Sequence, residues 1–276
     1  MLKIDTHQHS WNLSEAEYRW LKPTHTAFYG NYTPDILAPQ VKAVGVDCTV
    51  LVQAENTYED TASMLVIAHY NDFIVGVVGW ANLLNPDETH RRMEMYSKNP
   101  YYKGMRHLIH DEADPDWVVQ PVVLESLKVL PEFGMTFDVV PVFPRQLLHV
   151  PTLAEHIPNL NMVIDHLAKP PVGQRESAWF DQMKAAAAYP NVYAKLSGQF
   201  DNPAWTVADV KPYTDFVLEH FGADRVMFGS DWPVSLAGGT YTSVWENTQQ
   251  LIAGCSQAEK DAILGGTAAR FYRISQ

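Results

Sequence analysis

Asp5, His7 and His9 stand in strict alternation near the start of the chain, in the stretch "IDTHQHSW". In a β-strand successive side chains point to opposite faces, so this spacing predicts that the carboxylate and both imidazoles project the same way. Two imidazoles converging on one point suit a metal ion or a polarised substrate. Such a pair needs partners from other parts of the chain, and those partners need a scaffold that brings them together.

The scaffold is suggested by recurring apolar or β-branched runs at 2–9, 46–54, 74–82, 102–109, 136–142, 161–168, 191–198 and 225–232. Helix-like stretches such as "ETHRRMEMYSKN" and "TDFVLEHFGADR" lie between them. Several runs are apolar almost throughout, as parallel strands covered on both faces should be. Eight strands alternating with helices predict an α/β fold, a (β/α)8 TIM barrel, as one domain spanning 1–276. A doubly wound open sheet is the alternative, but no Gly-x-Gly-x-x-Gly turn follows any of the runs. The aromatic and polar segment at about 10–35 predicts an extended loop over the active-site mouth.

In a barrel, chemistry gathers at the C-terminal ends of the strands. The first run ends in His7 and His9, the fourth in Arg106, His107 and His110, and the sixth in His166 and Lys169. The seventh ends in Lys195 and Ser197, the eighth in Asp231 and Trp232. Burying several charges in one place is costly unless they pair or bind a ligand or metal. Each residue also has a structural reading. His107 could be a hydrogen-bonded core histidine, His110 a solvated neighbour of Asp111, and Arg106 half of an ion pair. Lys169 could cap strand-end carbonyls, and Asp5 could anchor its strand. His7, His9, His166 and Asp231 are the four expected to share a reacting centre.

Composition limits the partners. With 276 residues, 46% of them hydrophobic and 19% charged, the chain can bury a large core. A net charge of −12 argues against a nucleic-acid surface, which needs a basic stripe. No apolar window reaches the roughly 18 residues of a membrane span, and no secretory leader pattern opens the chain. Two cysteines, Cys48 and Cys255, make no disulfide framework, so a cytoplasmic location is expected.

The strand-end motifs resemble those of the amidohydrolase superfamily: "DTHQHSW", "VIDHLAKP" and "FGSDWPV" match its His-x-His on strand 1, His on strand 6 and Asp on strand 8. "GMRHLIHDEADPDW", "VFPRQL", "AKLSG" and "GTAARFYRI" are similar to its lactonase branch, which includes fuconolactonases, rhamnonolactonases and pyrone-dicarboxylate lactonases. The resemblance runs from residue 4 to residue 273 and implies hydrolysis of a cyclic ester. His7, His9, His166 and Asp231 would be catalytic, with Asp231 as general base. Arg106, His107, Lys169 and Lys195 would contact the substrate.

Trp11, Trp80, Tyr102 and Trp232 suit the CH faces of a sugar ring. Arg106 and Arg145 are the only clear arginines for a dicarboxylate, so a sugar-acid lactone of the L-fucono, L-rhamnono or L-galactono type is favoured. Strand 5 has no His and strand 4 no bridging carboxylate, which departs from dinuclear relatives. His7, His9, His166 and Asp231 could hold one divalent ion, zinc fitting best; alternatively the site works without metal. Two rival readings remain: a zinc-dependent decarboxylase of the same superfamily, and a ligand-binding barrel without catalysis. The latter expects at least one of the four residues to be satisfied inside the packed core.

Overall fold

The computed structural model describes residues 1–174 and 177–275. Its strands are β1 (Ile4–Gln8), β2 (Cys48–Val52), β3 (Ile74–Gly79), β4 (Tyr102–His107), β5 (Thr136–Val139), β6 (Met162–Ile164), β7 (Val192–Leu196) and β8 (Val226–Phe228). They pair in parallel and in chain order. The first and last strands meet through a bridge between Gln8 and Trp232, where His9 N donates to the Trp232 carbonyl and Asp231 N to that of His7, each at 2.7 Å. The sheet is thus the expected (β/α)8 barrel, closed at the end where the site lies.

Eight helices cover it: α1 (Pro34–Ala43), α2 (Tyr58–His69), α3 (Pro86–Tyr96), α4 (Pro121–Val129), α5 (Val150–His156), α6 (Ser177–Ala187), α7 (Val207–Phe221) and α8 (Tyr241–Leu251). Their starts follow local chemistry. Proline opens α1, α3 and α4, where its missing N–H would be unpaired in any case. Thr206 and Asp209 cap α7 reciprocally. Each helix turns an apolar face to the sheet, exemplified by Trp179 of α6, which is wholly buried. After α8 the chain packs Ala268, Phe271, Tyr272 and Ile274 against Ile4, Cys48, Val50 and Met227.

All eight strands are shorter than the expected runs, the sixth and the eighth most of all. The sixth is extended only over Met162–Ile164 and the eighth only over Val226–Phe228. In both, the backbone leaves the sheet just before the candidate site residues His166 and Asp231.

Between β1 and α1, Trp11 and Tyr32 exchange backbone hydrogen bonds at 2.8 and 2.9 Å. They close a loop whose Trp11, Tyr18, Leu21 and Phe28 pack with Ala54. The loop docks on the segment after β2: Arg19 donates from Nη2 (2.7 Å) and Nε (3.1 Å) to Glu55, and Trp20 Nε1 donates to the Ala54 carbonyl at 2.6 Å. No helix among the described residues is long and apolar enough to cross a membrane.

Candidate active site

The opening alternation is broken in the structure. Between β1 and β2, Asp5 pairs with Thr49 but Gln8 with Leu51, so β1 carries one extra residue between these points. Such a bulge re-aims side chains. Asp5 accepts from Tyr241 of α8 at 3.0 Å and from Ser230 N at 2.8 Å, anchoring the β8 end from behind. It does not join the histidines, and burial is the main force raising its carboxyl above the usual range.

His7 lies inside the barrel on a buried ionic floor. Lys195 Nζ sits 2.6 Å from Asp138, 2.9 Å from Asp165 and 3.2 Å from His7 Nδ1. Tyr272 donates to Asp138 at 2.7 Å, and Arg106 Nη1 reaches Asp165 at 3.2 Å. Burial alone would drive the Asp165 carboxyl up, yet Lys195, His7 and Arg106 outweigh it and hold that group well below its ordinary range. Burial likewise opposes the Lys195 ammonium, but Asp138 and Asp165 keep it firmly protonated. Taking these ions out of water is compensated only because each faces a partner.

Above the floor stand His9, His166 and Asp231. Asp231 Oδ1 is 3.5 Å from His9 Nε2 and 3.7 Å from His7 Nε2, and its Oδ2 is 3.8 Å from His166 Nδ1. Burial pushes its carboxyl up, but the imidazoles of His166, His9 and His7 outweigh that and keep it well below the usual range. Asp231 therefore stays ionised. His166, pushed down to about 4 chiefly by burial, is neutral at pH 7.

The backbone that presents His166 is unusual. His166, Leu167, Ala168 and Lys169 all have φ between 49° and 57°, a run of four left-handed residues without a glycine. Each such residue is disfavoured by about 1–2 kcal/mol. Tertiary bonds hold the turn: Trp179 Nε1 donates to the Leu167 carbonyl (3.0 Å) and Phe143 N to that of Ala168 (3.2 Å). His166 and Lys169, three apart, both reach one cavity as a result.

That cavity, of about 150 Å³, is lined by His9, His166, Asp231, Arg106, Lys169 and His110, with Trp20, Ala54, Leu108, Val140 and Val234 as apolar walls. The structure thus gathers His9, His166, Asp231, Arg106 and Lys169 as expected from the strand ends. His7 touches Asp231 from below but is sealed from solvent.

Other expectations need correcting. Lys195 is fully buried beneath His7 and does not line this cavity. His107 uses both ring nitrogens, accepting from Trp80 Nε1 at 2.9 Å and facing Glu112 at 2.7 Å, and stacks on Trp117. Trp80 is committed to that bond. Trp11 and Trp232 are buried, and Tyr102 begins β4 at the opposite end from the site. Arg145 is exposed and lines no part of the cavity. Reading the sequence missed Asp138, Asp165 and Trp20, and set His110 aside as solvated. A signal was present for Asp138, an acid in the middle of the apolar run "TFDVV".

The donor pattern decides whether a cation fits. His9 gives its Nδ1–H to the Val52 carbonyl at 2.8 Å, leaving the Nε2 lone pair toward Asp231. Arg106 aims a guanidinium N–H, fixed by its planar group, at His7 Nε2 over 3.2 Å, while His7 Nδ1 faces Asp165 at 3.4 Å and Lys195 Nζ at 3.2 Å. His9 Nε2, His7 Nε2 and the ionised Asp231 carboxylate face one region, a donor set that suits a cation. Nitrogen and oxygen atoms of His7, His9 and Asp231 lie within 4.8 Å of one another, as do those of His7, Asp165 and His166. Imidazole and carboxylate donors at this spacing fit a divalent metal ion.

A parallel barrel with His-x-His, a sixth-strand His and an eighth-strand Asp around one cavity defines a metal-competent hydrolase scaffold. The chain belongs to the amidohydrolase family, whose model matches residues 4–274. It is 35% identical to an L-fucono-1,5-lactonase of Burkholderia ambifaria over 99% of this chain and 96% of that one. It is 31% identical to an L-fucono-1,5-lactonase of Burkholderia multivorans, over 100% and 97%. A crystal structure of a zinc-bound amidohydrolase from Burkholderia multivorans superposes with a TM-score of 0.92 at 32% identity, covering all of both chains.

Proposed function

We propose that the protein hydrolyses a sugar-acid lactone, with L-fucono-1,5-lactone as the first candidate. The observation that carries this reading is the ionised Asp231 among three imidazoles on the floor of a small cavity. Similarity to lactonases over the full chain supports it. Asp231 takes a proton from water as the water oxygen bonds to the carbonyl carbon. The tetrahedral adduct then collapses, the bond from carbon to ring oxygen breaks, and that oxygen takes the proton back from Asp231. The product is an open-chain hydroxy acid. A divalent ion, zinc on this reading, would be held by His7, His9 and Asp231 with His166 beside them, and would supply a Lewis acid at the carbonyl.

Arg106, Lys169 and His110 would hold substrate hydroxyls, and Trp20 would cover a CH face of the ring. The cavity offers one arginine and one lysine, which suits a sugar lactone better than an aromatic dicarboxylate. The test is a panel of aldonolactones and one pyrone dicarboxylate, followed by acid release at neutral pH. Turnover of a sugar lactone well above all others is expected. Activity confined to the pyrone, or CO₂ release from an aromatic acid without lactone opening, would overturn the proposal.

A further inference from the structure

His7 Nε2, 3.7 Å from Asp231, is the nitrogen that faces an ion shared with His9 and Asp231, and in the structure it already has a partner. Arg106 Nη1 lies 3.2 Å away with its hydrogen directed at the nitrogen. An ion on the same lone pair would stand at about 2.1 Å from the nitrogen. Along that line it would be about 1.1 Å from Nη1 (3.2 less 2.1), so ion and guanidinium exclude each other. The same Nη1 also donates to Asp165 at 3.2 Å and Nη2 donates to the Gln53 carbonyl at 2.7 Å, while Nε has no hydrogen-bond partner among the described residues. The arginine is almost fully buried, so its charge is poorly screened.

We propose that Arg106 is a tethered competitor for the metal: its guanidinium occupies the His7 lone pair, and an ion binds only as Arg106 withdraws. The side chain then has two states. With no ion bound, Arg106 completes the His7 hydrogen bond and keeps the imidazole oriented. With an ion bound, Nη1 leaves His7 and keeps only its contact to Asp165, while Nη2 keeps its bond to the Gln53 carbonyl. The affinity of the site for divalent ions is therefore set by residue 106 as well as by the ligands. This inference concerns ion binding and does not depend on which substrate is hydrolysed.

The test is zinc binding by competition with a chromophoric chelator, without substrate, for wild type, Arg106→Gln and Arg106→Met. Removing a buried positive charge this close to the ion should tighten zinc binding about tenfold or more in both variants. Unchanged or weaker binding in variants that retain the wild-type circular dichroism would overturn the proposal. A crystal structure of the zinc-loaded wild type removes dependence on the variants. Arg106 Nη1 should have moved clear of His7 Nε2; an ion elsewhere in the site with this hydrogen bond still in place would overturn it.

Discussion

Lys195 Nζ lies 2.9 Å from Asp165, and neither side chain has any exposed surface. A lysine read from the sequence as a substrate contact is instead the counter-ion of the site's floor. Lys195→Met should leave Asp138 and Asp165 buried with less compensation and lower stability by about 3–5 kcal/mol. Urea unfolding checks this. A normal midpoint with a raised KM would restore the substrate-contact reading.

Asp231→Asn preserves shape but removes basicity. The variant should keep its thermal midpoint within a few degrees and lose about 100- to 10,000-fold in kcat. Both are measured on one preparation. Near-normal turnover by a folded variant would end the general-base assignment.

The pH dependence follows from His166, whose pKa is lowered to about 4, mainly by burial. The unfolded chain takes up this proton near pH 6.5 while the folded protein resists it. Its contribution to stability is therefore complete above about pH 6.5 and is lost as pH falls toward 4. Between pH 6.5 and 5 one such group accounts for about 2 kcal/mol. In the presence of chelator, His166→Gln should show a correspondingly shallower acid loss by urea unfolding than wild type. Asp231 stays charged over this range, so the acid limb of activity should not report its protonation.

Gly198 has φ +66°, and a Cβ there would stand 2.7 Å from His166 Nδ1. Gly198→Ala combines left-handed strain with displacement of the ring from Asp231 and Ser197. We expect a stability loss of about 1–2 kcal/mol and a much larger loss of kcat than of substrate affinity. A crystal structure with His166 unmoved and normal turnover would refute it.

Much of this was legible in the chain. The eight strands were readable because both faces of each are covered and the runs are apolar; His9, His166, Asp231, Arg106 and Lys169 were readable because they end those runs. The β1 bulge was not, since an extra residue leaves the alternation of Asp5, His7 and His9 unchanged in sequence while reversing which neighbour Asp5 meets. Lys195 was misplaced because a charge near a strand end gives no sign of whether it points up to the cavity or down to partner acids. Asp165 was hidden beside His166, its role set by a left-handed turn that no glycine announces.

That turn also bears on the order in which the protein fails. Four left-handed residues together store roughly 4–8 kcal/mol, returned only while α6, the segment after β5 and the β7 end stay docked on them. The His166 imidazole thus depends on strain that the barrel itself does not share, and local opening should be cheapest there. Under mild denaturant the protein should lose turnover before it loses its circular dichroism, and amide exchange at residues 166–169 should outpace that of the strands. Activity would then report the integrity of this one turn, well before it reports unfolding of the barrel.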